Sequence, residues 1–163
     1  MLVIGIDPGT AITGYGFIVE QADKTLQMVE CGAIRTPAKF SAEDRLNILH
    51  ERLVDLLHTF QPDCAAVEKL YFSRNVRTAL HVGQARGVIM LALAQCNVPV
   101  YEYNPMDVKL AVTGYGMAEK MQVQMMVKAL LQLNEIPKPD DVADALAVAI
   151  CHAHSAKVNS LGK

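Results

Sequence analysis

Cysteine is scarce and scattered. Cys31, Cys64, Cys96 and Cys151 stand alone, with no CxxC pair and no histidine at ligand spacing. That excludes a disulfide framework and a zinc site, and it fits a reduced, cytoplasmic chain. Long hydrophobic runs are missing as well. The longest nearly uncharged stretch, residues 87–100, falls well short of the ~18 apolar residues that argue for a transmembrane helix, so no membrane is expected as a partner. No positively charged segment precedes the first apolar run, and Asp7 interrupts it, which argues against a secretory signal. The sequence has no internal repeat, low-complexity segment or linker. With 163 residues, 52% apolar and 20% charged, the chain is expected to form a single domain over residues 1–156. Residues 157–163 are expected to be a short disordered tail.

Nor is there much excess charge. The net charge is −2, which by itself argues against a nucleic-acid partner. The distribution differs from the total. Residues 1–68 carry five Lys/Arg against ten Asp/Glu, and residues 69–138 carry eight against four. One reading is a basic face beside a small acidic site, as a phosphodiester-handling enzyme needs. The other is that blocks of sequence do not map onto surfaces. Charge alone leaves both open.

What is present is an α/β pattern. Residues 2–6 read as a buried strand ended by Pro8-Gly9, and residues 13–20 and 25–35 as two more strands of an antiparallel meander. Ser41 is a predicted N-cap for an amphipathic helix to about residue 60, with Leu46, Leu49, Leu53, Leu56, Leu57 and Phe60 at helical spacing. A strand to Glu68, a helix over 75–96 and a strand over 98–103 follow. Pro105 opens a short helix, and further helices cover about 119–133 and 140–154. This order predicts a mixed central sheet flanked by helices. Gly83 and Gly87 read as close helix–sheet packing rather than a dimer seam, and the Met-rich run 121–126 reads as core.

The chemistry lies in where carboxylates meet apolar segments. Asp7 ends the first strand, and Glu68 ends a later one. Ligand sites in α/β sheets favour such strand ends, although either residue alone also fits an ordinary strand-terminating acid. Asp141 and Asp144 are three apart, hence on one helical face. A capping box explains that pair equally well. Against capping stands the apolar stretch 145–150, which would carry Asp144 into a packed helix, where an unpaired carboxylate is costly without a cation. Four carboxylates with no His or Cys cluster describe a hard-oxygen site for Mg²⁺ or Mn²⁺. Two such ions suit metal-dependent phosphoryl transfer.

These residues sit in recognisable motifs. Gly5-Ile6-Asp7-Pro8-Gly9-Thr10, then Gly14 and Gly16, resembles the opening of the RuvC Holliday-junction resolvases. Ala66-Val67-Glu68 with Asn75 and Gly83-Gln84-Ala85-Arg86-Gly87 resembles their middle motif. Pro105, Val108-Lys109 and Gly114-x-Gly116-x-Ala118-x-Lys120 resemble their basic segment, and Asp141 with Ala143-Asp144-Ala145-Leu146-Ala147 their C-terminal acidic helix. The resemblance implies an RNase H-like fold and a homodimer that cuts four-way DNA junctions by paired nicks. It implies Asp7, Glu68, Asp141 and Asp144 as a catalytic quartet holding two Mg²⁺ ions, with Mn²⁺ able to substitute. Some members carry His at the position of Asp141. Lys109 and Lys120 match the family's lysines near the scissile strand, and RuvA and RuvB are the implied branch-migration partners.

The stretch after Glu68 offers DNA contacts. Tyr71 and Phe72, flanked by Lys69, Arg74, Asn75 and Arg77, combine stacking surface with phosphate-seeking charge. Tyr71 is favoured over Phe72 as the ring that stacks on bases. Both rings also fit a loop anchored on the core. Two other readings of the whole chain are a phosphate- or nucleotide-binding protein of related fold and a junction binder without catalysis.

Overall fold

The computed structural model describes residues 1–69 and 76–161, without the side chains of 76–78 and 157–161. Strands β1 (Leu2–Asp7), β2 (Ile12–Glu20) and β3 (Leu26–Arg35) form the predicted antiparallel meander. Strands β4 (Cys64–Glu68) and β5 (Val100–Tyr103) add parallel to β1, giving the sheet order β3-β2-β1-β4-β5. Helices α1 (Ala42–Phe60) and α2 (Val76–Gln95) intervene. Helices α3 (Pro105–Thr113), α4 (Lys120–Leu130) and α5 (Asp140–Leu161) close the chain. This mixed sheet flanked by helices is the RNase H-like arrangement.

The two-residue period of the strands divides the core. Ile4, Ile6, Phe17, Ala65 and Val67 pack with Leu49, Leu53 and Leu57 of α1 and Ala85, Ile89 and Leu93 of α2. Val3, Ile18, Cys64 and Ala66 turn to the opposite face, against α3, α4 and α5. The same alternation turns Gly5, Asp7 and Glu68 toward α5.

Helix α5 is buried nearly all round from Val142 to Cys151, apart from Asp144. It lies so close to the sheet that side chains on the strands below it would collide. A Cβ on Gly5 would strike the Ala145 carbonyl oxygen, and one on Gly14 would strike the Asp141 carbonyl. A Cβ on Gly16 would meet the Leu146 side chain. Glycine is required at Gly5 and Gly14 by this approach of backbone to backbone.

Pro105 opens the expected short helix, nine residues long, with Asn104 at its N-cap position and Gly114 in the left-handed conformation at its C-cap. Three expectations change. Helix α5 runs to Leu161, beyond the end expected near residue 154, and takes in the first residues of the stretch expected as a tail. The Met-rich run is not core: Met121, Met125 and Met126 are exposed, because Val123, Gln124 and Val127 form the buried stripe of α4. Gly83 and Gly87 do not pack on the sheet either. Nothing lies within 4 Å of a Cβ at either position, since α2 turns Ala85, Ile89, Ala92 and Leu93 inward instead.

The glycine contact yields a direct test. Gly14→Ala overpacks the α5 interface and is expected to cost about 1–3 kcal/mol, at ~2–4 °C of melting temperature per kcal/mol for a chain of this size. Thermal unfolding followed by circular dichroism checks it, and an unchanged melting temperature would mean α5 can lift off β2 freely.

Candidate active site

Asp7 is the last residue of β1 and Glu68 the last of β4. Gly5 lies opposite Ala66 and Ile6 opposite Val67 in the parallel ladder. One step further, Asp7 and Glu68 therefore end adjacent strands with their side chains on one face, the strands themselves roughly 4.8 Å apart. Gly14 is the antiparallel partner of Asp7. Because Gly14 has no side chain, the first turn of α5 settles on β2 there and delivers Asp141 and Asp144 to the same corner. Both acids lie inside the helix, which begins at Asp140, so neither is its N-cap. The capping alternative falls, and the four predicted carboxylates come together.

Burial and neighbouring charge both act on this corner. The Asp7 carboxyl is pushed up from 3.8 to about 8, by burial first and then by the charges of Asp144, Glu68 and Asp141. Glu68 is raised by burial and by Asp144, with Lys109 and Lys120 opposing. Asp144 is raised as well, although Lys120 Nζ stands 3.0 Å from its Oδ2. Desolvation outweighs the ion pair there. Lys120 also reaches Asp140 Oδ2 at 3.5 Å. Burial works to lower the Lys120 ammonium, yet the Asp144 and Asp140 carboxylates raise it on balance. Asp140 as a partner of Lys120 was not anticipated. The only trace of it in the sequence is a third acid adjoining the pair Asp141 and Asp144.

Glu68, Lys109, Lys120 and Asp144 line a cleft of about 250 Å³, walled by Val108 and Val123. Both predicted lysines therefore stand beside the acids. Tyr71, Phe72, Arg74 and Asn75 lie outside the described residues, as does the side chain of Arg77. The histidines stay away from this cleft. His152 is buried between Tyr103 Oη, 2.7 Å from its Nδ1, and Cys64 Sγ, 3.2 Å from its Nε2, a packing role.

As the side chains stand, no group of three or more His, Cys, Asp or Glu among the described residues could hold a metal ion. The donor set nonetheless fits a hard divalent cation. Its members are all carboxylates, they are gathered at the ends of rigid elements, and the positive charge among them comes from Lys120, paired with Asp144, and from Lys109 near Glu68. A divalent ion would supply the positive charge that offsets the burial and the repulsion holding the Asp7 proton in place.

The raised Asp7 carboxyl sets a pH dependence for the metal-free protein. Below pH about 4 both folded and unfolded chains keep the proton, and nothing is lost. From there to pH about 8 the unfolded chain releases it while the folded chain retains it, so stability falls as pH rises through this window. Asp7→Asn is therefore expected to melt with the wild type near pH 4 and clearly above it at pH 8. Thermal scans in chelator at both pH values check this, and equal shifts at the two would contradict it.

Comparison with known proteins bears on this geometry. The family model described as crossover junction endodeoxyribonuclease RuvC matches residues 3–152. A protein of that description from Halothermothrix orenii is 55% identical over 159 residues, 98% of this chain and 96% of its own length. One from Pelotomaculum thermopropionicum is 58% identical over 154 residues, 94% of this chain and 93% of its own. The solved structure of Thermus thermophilus RuvC in complex with a Holliday junction substrate superposes with a TM-score of 0.89 at 35% identity, covering 98% of both chains. The yeast mitochondrial Holliday junction resolvase Ydc2 shares the fold, with a TM-score of 0.69 at 16% identity over 97% of this chain and 82% of its own. With a family model spanning most of its length and relatives above half identity, this chain belongs to the RuvC family of crossover junction endodeoxyribonucleases.

Proposed function

We propose that this protein resolves four-way (Holliday) DNA junctions by paired symmetric nicks, as a metal-dependent endonuclease of recombination and repair. The observation that carries the reading is the gathering of Asp7, Glu68, Asp141 and Asp144 at one corner of the sheet beside Lys109 and Lys120, in a chain of this family. The quartet is the proposed catalytic and metal-binding set for two Mg²⁺, with Mn²⁺ as substitute. Such ions, when bound, supply Lewis acidity at the attacking water and at the leaving oxygen of the phosphodiester. The protein's part is to hold its carboxylates at fixed points on two strand ends and one helix, and to keep Lys109 and Lys120 facing the DNA phosphates. Phosphates are common to all DNA. Junction selectivity is therefore assigned to dimer geometry and to Tyr71 or Phe72 stacking on loosened bases, with Arg74, Asn75 and Arg77 nearby. RuvA and RuvB are the proposed partners, and the cytoplasm the proposed compartment.

The dimer seam proposed here is α2. Leu80 and Leu91 are 61% and 53% exposed, and Gly83 and Gly87 between them face open space. Spaced 3, 4 and 4 apart, the four positions share one helical face. An apolar stripe with glycine gaps lets two helices approach closely, and a second copy of this chain supplies the matching stripe.

Two measurements test these readings. A synthetic four-way junction incubated with Mg²⁺ is expected to be cut in matched pairs of strands, while linear duplex and a metal-free control stay intact. Asp7→Asn should abolish cutting without loss of junction binding, whereas Lys120→Ala should weaken binding and reduce the salt slope by about one. Equal losses of binding and cutting in Asp7→Asn would instead indicate a damaged fold. For the seam, the double variant Leu80→Glu, Leu91→Glu is expected to sediment as a monomer and to leave single nicks. A variant that stays dimeric places the seam elsewhere.

A further inference from the structure

The turn that follows Asp7 is held from outside the site. Thr36, at the end of β3, donates its backbone N–H to the Ala11 carbonyl at 3.1 Å. Its hydroxyl donates to the Thr10 carbonyl through a short hydrogen bond. Arg45, in the first turns of α1, donates Nε to both the carbonyl and the hydroxyl oxygen of Thr36, each at 3.1 Å. An arginine has only donors, so the Thr36 hydroxyl must accept from Arg45, and its single proton is left for Thr10. The charged donor polarises that hydroxyl and strengthens the bond it makes onward. Thr36 is 4% exposed, so water competes little for these bonds. On the inner side of the turn, Thr13 donates its hydroxyl to the Gly9 carbonyl at 2.7 Å.

The chain Arg45–Thr36–Thr10 ties the start of α1 to the loop between Asp7 and β2. That loop carries the chain directly from Asp7 into β2, so the place of Asp7 depends on what fixes the backbone of residues 10 and 11. We infer that Thr36 and Arg45 are positioning residues for Asp7, holding the turn so that its carboxylate stays where a metal and the scissile phosphate require it. Neither residue touches the cleft. Their effect passes through the backbone of residues 10 and 11, and it rests on the reading of Asp7 as a catalytic carboxylate.

Thr36→Val removes the hydroxyl while keeping the shape, Thr36→Ser restores it, and Arg45→Ala removes the polarising donor. The readouts are single-turnover cutting of a four-way junction, junction affinity without divalent ions, and Mn²⁺ affinity from the resonance of free Mn²⁺. Thr36→Val is expected to slow cutting by about tenfold to a hundredfold, the scale of a small misplacement of a reacting group. It should also weaken Mn²⁺ binding while junction affinity holds. Thr36→Ser should recover both losses, and Arg45→Ala should show the same pattern more weakly, since the Thr36 hydroxyl can still donate to the Thr10 carbonyl. Wild-type cutting and Mn²⁺ affinity in folded Thr36→Val overturn the inference. So does a parallel loss of junction affinity, or a failure of Thr36→Ser to rescue. Should Thr36→Val not fold, wild-type behaviour of Arg45→Ala overturns it alone. Cutting by Asp7→Asn would overturn the reading of Asp7 itself, whatever Thr36 does.

Discussion

The close seating of α5 on the glycines of β1 and β2 is the contact on which the rest depends. Backbone meets backbone at Gly5 and Gly14, and only that approach lets a helix carry two acids to the ends of two strands. The driving force is apolar. Val142, Leu146, Val148 and Ile150 are all buried to 1% exposure or less, and each such side chain contributes about 1.5–3 kcal/mol on leaving water. The opposing force is the gathering of carboxylates, whose desolvation costs on the order of several kcal/mol per ionised group. The helix holds because its apolar faces outweigh its one acidic corner. The corner escapes part of its cost by keeping the Asp7 proton up to pH about 8.

That balance explains the position of Lys120. In the metal-free protein its ammonium stands among Asp140 and Asp144, offsetting repulsion that bound cations would otherwise offset. Under the proposed function the residue would have two uses for one charge, as internal counter-ion and as phosphate contact. A side chain on four rotatable carbons can exchange between them, where a planar guanidinium would be tied to one geometry.

Much of this was legible in the sequence, and the reasons differ by element. The strands and α1 follow from period and capping: Ser41 does accept from the Asp44 N–H, as its place before the helix implies. The carboxylates were legible because acids at the ends of apolar runs break local rules, and such breaks mark functional sites. The Met-rich stretch misled because Met reads as apolar in any count. Only the angular placement of Val123 and Val127 decides which side of α4 is inside. Gly83 and Gly87 misled for the same reason, since helical spacing defines a stripe without saying which way it faces. Asp140, the glycine seating and the Thr36–Arg45 tie were illegible because they pair residues of different elements, with no period linking them.

The two faces of the sheet therefore do different work on one carboxylate. On the α5 side, burial and then the neighbouring acids raise the proton affinity of Asp7. From the α1 side come the hydrogen bonds that hold the turn after it. A strand end alone would leave Asp7 loosely held, since termini of elements are where backbone yields most easily. Movement there would carry its carboxyl away from Glu68, Asp141 and Asp144. A fold that keeps four carboxyl groups together must brace the position where a buried carboxyl and backbone freedom coincide. In this protein that position is the turn between β1 and β2, and the brace comes from the opposite side of the sheet.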